Sequence, residues 1–295
     1  MCLGVIMNAA NAGKEALIRN ISDTALWVAV YRARENERRD ALFRDPYARK
    51  LAGDRGEQIA KLMQSRVSHE WPYIARTLRV DQIVREQIQQ GVDLVVNLAA
   101  GLDTRPYMMD VPPSLQWVEV DLPAMIEYKQ ERLRDEKPRC RLRRVALDLA
   151  DVSARRKLFQ EVGGEAKRAL VISEGLLVYL TREEVFSLAT DLAAQSAFQH
   201  WVVDLASPGL LKMLQKELPA LKEAGSPLKF GPEEGPEFFL SAGWKPVEVY
   251  SMLKTAAKLR RLPSLMLRFF ALLPESNGRQ GSRPWSGVCR LTRIN

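Results

Sequence analysis

Residues 93–105 read Asp-Leu-Val-Val-Asn-Leu-Ala-Ala-Gly-Leu-Asp-Thr-Arg, and this stretch restricts the fold more than any other. Apolar, partly β-branched Leu94, Val95 and Val96 predict a buried parallel strand. They run into a small-residue turn, Ala99-Ala100-Gly101, after which Asp103 or Thr104 offers a side-chain oxygen to start a helix. Open α/β sheets hold nucleotide-like ligands with this layout of strand, tight turn and helix N-terminus, although the same layout also serves as plain structure. Twenty positions after Gly101 a second strand, Trp117-Val118-Glu119-Val120-Asp121, ends in an acid. An acid at that distance is placed to accept both hydroxyls of a ribose. The turn lacks the three-glycine fingerprint of pyrophosphate-binding folds. That counts against a nicotinamide oxidoreductase and favours an adenosine-containing ligand without a pyrophosphate.

The unit repeats about every 25–30 residues, which predicts a largely parallel sheet with right-handed crossovers. Further strands are predicted over 141–147, 169–174, 201–205, 243–250 and 287–294, seven in all. Helices are predicted over 74–90, closed by Gly91, over 104–110, and over 123–136 with Pro123 in the first turn. Thr181-Arg182-Glu183-Glu184 reads as a capping box. Residues 8–64 read as helical, with one helix from Ser22-Asp23-Thr24 to Glu35 and a turn at Asp45-Pro46-Tyr47-Ala48 into another. They serve either as a lid over a ligand pocket or as packing. His69-Glu70-Trp71-Pro72-Tyr73 reads as an aromatic turn. Asp121, Asp148, Glu174 and Asp204 recur at strand ends, where such sheets bind ligands. Any one of them could be a helix cap, but four in succession point to a site. Arg76, on the 74–90 helix, is either a surface charge or a partner for a ligand carboxylate.

The composition is that of an ordinary soluble globular protein, with 295 residues and a formal charge of +8. From 251 to 295 nine Lys or Arg face one acid, Glu275, so the remainder of the chain is balanced. The insert at 251–286 mixes these cations with Leu259, Leu262, Leu265, Met266, Phe269 and Phe270. Core packing or a homodimer face leads substrate capping and membrane contact among its readings. No nucleic-acid motif accompanies the charge. Cys2, Cys140 and Cys289 are odd in number and far apart, which predicts a reducing, cytoplasmic setting and no metal site. Neither a secretion signal nor a membrane-spanning run is read.

Several blocks in order carry a family likeness: Asp-Pro-Tyr-Ala (45–48), Arg-Thr-Leu-Arg-Val-Asp (76–81), residues 96–107, Glu-Val-Asp-Leu-Pro (119–123) and Ser-Glu-Gly-Leu-Leu-Val-Tyr-Leu (173–180). Over about 22–204 the chain resembles the leucine carboxyl methyltransferase family, including its bacterial branch with tetracenomycin-type polyketide O-methyltransferases. The resemblance implies a class I methyltransferase fold of the Rossmann-like kind, a seven-stranded sheet whose last strand is antiparallel. It would divide into a helical lid over 1–90 and a cofactor-binding core over 91–295. S-adenosylmethionine is the implied cofactor. Asp121, with Leu122 beside it, would hold the ribose. Asp148 would take the adenine amino group with Leu149 against the ring, Arg76 the methionine carboxylate, and Glu174 would lie near the methionine end. Ala99 and Gly101 would form the turn.

Two departures stand out. Ala99 replaces the first glycine of the usual Gly-Ala-Gly, and an alanine there would strain a turn that needs positive φ. The family's N-terminal lysine has no match among Val28, Ala29, Arg32 and Arg34. A carboxylate acceptor needs no base, whereas a hydroxyl does. The chain has two histidines. His200 begins a strand away from the site, and His69 and Tyr179 are the candidate catalytic groups. That scarcity favours O-methylation of a small-molecule carboxylate, of a secondary-metabolite kind. Methylation of a polyketide-like phenol, methylation of a peptide C-terminus and a non-catalytic cofactor-binding module are the alternatives.

Overall fold

The computed structural model describes residues 17–64, 70–274 and 281–294. Three helices, α1 (Asp23–Glu37), α2 (Ala48–Leu62) and α3 (Glu70–Gln89), precede the first strand. The strands are β1 (Leu94–Leu98), β2 (Gln116–Asp121), β3 (Arg141–Ala146), β4 (Ala169–Ser173), β5 (Phe198–Ala206), β6 (Trp244–Ser251) and β7 (Ser286–Arg293). Between the strands lie α4 (Arg105–Met108), α5 (Pro123–Arg132), α6 (Val152–Gly164), α7 (Arg182–Ala193), α8 (Pro208–Glu217), α9 (Pro219–Glu223), α10 (Met252–Lys258) and α11 (Leu265–Leu272).

The sheet order is β3-β2-β1-β4-β5-β7-β6. β7 runs antiparallel to both β5 and β6, and the other pairings are parallel. The fold is the class I methyltransferase sheet expected from the sequence. β1 is buried along its whole length because both faces are covered. Leu94, Val96 and Leu98 enter one apolar layer with α6 and α7, and Val95 enters the other with α3. Leu98 sits in register with Val120 on one side and Ser173 on the other. Strand order reverses at β1, so a crevice opens at its carboxyl end next to β4.

The capping box at Thr181 and the Pro123 helix start are both present. Gly91 ends α3 at φ 95°, with its N–H donating to Ile88 O at 3.0 Å. One expectation is corrected. Residues 70–73 form the first turn of α3 rather than a loop, because Pro72 fits a helix start where no N–H partner is needed. The two N-terminal helices are separated over 38–47, with the turn at Asp45-Pro46-Tyr47-Ala48 leading into the second as expected. The 206–242 connection, assigned no element from the sequence, carries α8 and α9. No helix among the described residues is long and apolar enough to cross a membrane.

Candidate active site

The turn after β1 is built from backbone geometry. Ala99 adopts φ 50° and Gly101 φ 47°. The positive φ that would strain an alanine is therefore present at Ala99, at a cost of about 1–2 kcal/mol. Gly101 N donates to Asp121 Oδ2 at 2.6 Å, and Leu122 N donates to Asp121 Oδ1 at 2.7 Å, so the acid at the end of β2 fastens the turn. Glycine is favoured at 101 by its positive φ and by the closeness of α1. A Cβ there would lie 3.2 Å from Ala25 Cβ. Arg32 of α1 donates to Leu102 O and lies 3.4 Å from Asp45.

A second cluster joins α3, α4, β4 and β5. Arg76 Nε donates to Glu174 at 3.0 Å and its Nη1 to Asp204 at 3.0 Å. Arg105 reaches Asp81 at 2.6 Å, Asp103 at 2.7 Å and the other oxygen of Glu174 at 2.9 Å. Asn97 donates to Asp103 at 2.6 Å, and Asp103 accepts the Arg105 N–H at the start of α4. Gly175, at φ 72°, donates its N–H to Asp204 at 2.6 Å. A Cβ on Gly175 would meet Arg76 Nη1 at 3.3 Å. Burial alone would raise the Glu174 carboxyl, but Arg105 and Arg76 outweigh it and hold Glu174 below the ordinary value. Burial raises Asp121 instead, against the lowering pull of the Gly101 and Leu122 N–H groups.

Arg76, Ala99, Gly101, Asp121, Leu122, Asp148, Leu149 and Glu174 all line one cavity of about 410 Å³. Asp148 is exposed at its rim and accepts the Ala150 N–H at 2.9 Å. Tyr179 lines it as well. Burial raises its phenol above the ordinary value against the lowering hydrogen bond to Thr24, so it keeps its proton at neutral pH. His69 lies outside the described residues. His200 is not in the lining. It sits 3.5 Å from Arg290, and burial, then Arg290 and Arg168, push its imidazole down to about 4.

The sequence reading did not single out Arg105, Asn97 or Asp81 for the site. Arg-Thr-Leu-Arg-Val-Asp contains Asp81, but nothing in a lone sequence says that this acid faces Arg105. The other omission is an apolar pouch formed by Leu205, Leu210, Leu214, Leu218, Leu221 and Leu228. Its signal was present in the leucine spacing of three to four over 210–221, the periodicity of one helix face.

The family model described as leucine carboxyl methyltransferase matches residues 25–193. A candidate S-adenosyl-L-methionine-dependent methyltransferase of Streptomyces avermitilis is 35% identical over 187 residues, covering 59% of this chain and 65% of its own length. The match thus spans about two thirds of that relative's length. Another of that description from Parafrankia is 30% identical over 275 residues, 86% of each chain. Among solved structures, a DUF574 family protein of Streptomyces avermitilis superposes with TM-score 0.59 at 12% identity, covering 92% of this chain and 97% of the other. A candidate methyltransferase from Thermobifida fusca gives 0.58 at 16% identity, covering 95% and 96%. At those identities the likeness shows the fold.

Proposed function

Because the chain belongs to the leucine carboxyl methyltransferase family, we propose that it is an S-adenosylmethionine-dependent O-methyltransferase acting on a carboxylate of a small, largely apolar molecule. The composition of the cavity wall carries this reading. Among the described residues it holds no histidine and no lysine. Glu174 and Asp204 are bound to guanidiniums and Tyr179 holds its proton. With Asp121 and Asp148 facing the cofactor, a hydroxyl acceptor would find no ready base among the described residues, whereas a carboxylate is ionised already.

The residues present fit the cofactor. Five lining carboxylates (Asp103, Asp121, Asp148, Glu174, Asp204) face three guanidiniums (Arg32, Arg76, Arg105), an excess suited to a net cationic ligand. Asp121 would meet the ribose, Asp148 and Leu149 the adenine, and Arg76 with Glu174 the amino-acid end. When bound, the cofactor supplies an electrophilic methyl group on sulfur. The chain's own contribution is orientation and exclusion of water. The helices ahead of β1 serve as the lid, with α1 clamped on the turn through Arg32. The leucine pouch accepts the body of the acceptor.

The test is mass spectrometry of carboxylic acids and phenols after incubation with isotope-labelled cofactor, followed by mild alkali. Label released by alkali is the expected result. Label that survives alkali assigns hydroxyl methylation, and cofactor binding without transfer to any acceptor removes the enzyme reading.

A further inference from the structure

α11, Leu-Met-Leu-Arg-Phe-Phe-Ala-Leu, turns its apolar side chains outward. Leu265, Met266, Phe269, Phe270 and Leu272 are 79, 63, 61, 46 and 82% exposed, and Leu273 just beyond is 44% exposed. Ala271 is the one buried residue of the helix. Core packing therefore accounts for Leu262, 3% exposed, and for the buried face of α10, but not for α11. So many large side chains side by side exceed the scattered exposure that needs no explanation.

The charges around the patch indicate what covers it. From 251 to 274 the chain carries Lys254, Lys258, Arg260, Arg261 and Arg268 and no acid. Arg261 is taken up by Glu35 and Asp40, each at 2.9 Å. Lys258, Arg260 and Arg268 are exposed. Arg260 adopts φ 56° and reverses the chain between α10 and α11. A two-fold contact centred on α11 would bring these cations together with no acid from 251–274 to offset them.

We propose that α11 docks the protein on an anionic lipid surface. Its apolar side chains enter the boundary of the acyl region, and Lys258, Arg260 and Arg268 meet the phosphate headgroups. α10 ties this patch to the cavity. Met252 at its first turn lines the cavity, and a helix of seven residues spans only about 10 Å. The proposal does not depend on which group is methylated.

The intact chain is sedimented with vesicles of phosphatidylcholine alone or with about one third phosphatidylglycerol, a cytoplasmic-leaflet charge density. Expected is binding to the anionic vesicles, lost at about 1 M salt where screening shortens to about 3 Å. Leu265→Asp with Phe269→Asp is expected to weaken it by about tenfold or more. The melting temperature of that variant should be unchanged, because both side chains are already in water. Arg268→Glu should weaken binding by roughly 25-fold, fivefold per unit charge. Three results would each overturn the proposal: no binding to anionic vesicles, equal binding to both kinds, or a dimer by light scattering that the double variant dissociates while vesicle binding is absent.

Discussion

Replacing Ala99 by glycine is the sharpest probe of the ligand turn. At φ 50° the alanine methyl crowds its own backbone, and its removal relieves about 1–2 kcal/mol. The glycine variant gains freedom in the unfolded chain, which offsets about 0.4–1 kcal/mol. The net expectation is a stabilisation of about 0.5–1 kcal/mol, or about 1–3 °C in melting temperature for a chain of this size. Ala99 also lines the cavity, so cofactor affinity should hold or rise. Ala100 is the internal control. It is 7% exposed and is not among the positive-φ residues of the described chain. Ala100→Gly should therefore destabilise by about 0.5–1 kcal/mol. Calorimetric melting of both variants, with isothermal titration of the cofactor, checks the pair. If both substitutions lower the melting temperature alike, the strain argument is wrong.

Asp121→Ala strips the acceptors from the Gly101 and Leu122 N–H groups. It should cost about 1–3 kcal/mol in urea unfolding as well as cofactor affinity, and unchanged affinity would remove the ribose role. Arg105→Met leaves Asp81, Asp103 and Glu174 without a shared cation, which should cost about 3–5 kcal/mol by denaturant midpoint. His200, held near 4 when folded against an ordinary 6.5, binds its proton more readily in the unfolded chain. Its stabilising contribution is complete above pH 6.5 and is lost as pH falls to about 4, with an amplitude of up to about 3 kcal/mol. In His200→Gln melting profiles that slope should flatten. The carboxylate excess in the cavity implies ordered binding. An anionic acceptor should bind at least about tenfold more tightly with the sulfonium cofactor present than with its uncharged thioether product, since opposite charges at 4 Å attract by about 4 kcal/mol near a protein surface. Titrations against each complex test this.

Much of the fold was legible because buried parallel strands are short apolar runs with an acid or a glycine at the exit. Asp121, Asp148, Glu174 and Asp204 could be placed on one rim from strand order alone. Residues whose role is relational were hidden. Arg105 looked like any helix residue, because its partners come from α3, the β1 turn and β4, far apart in sequence. The pouch was missed for a different reason. Its leucines follow helix spacing but sit beyond the last recognisable family block, and an apolar helix face gives no sign of whether core or ligand will cover it. The exposure of α11 was only partly legible, since a mixture of apolar and basic residues suits a core, a dimer face or a membrane surface alike.

The rim's electrostatics tie the first ninety residues to the sheet. Glu174 and Asp204 emerge from adjacent parallel strands, and so many carboxylates in one crevice repel one another. They are held there by Arg76, whose carrier α3 also packs Ala75, Val80, Ile83 and Val84 against β1 and β4. The helix that closes one wall of the cavity is thus also an outer layer of the core. Arg76 cannot swing away without leaving Asp204 without its cation and Glu174 with Arg105 alone, so the wall it forms is fixed by the same charges that the ligand would meet.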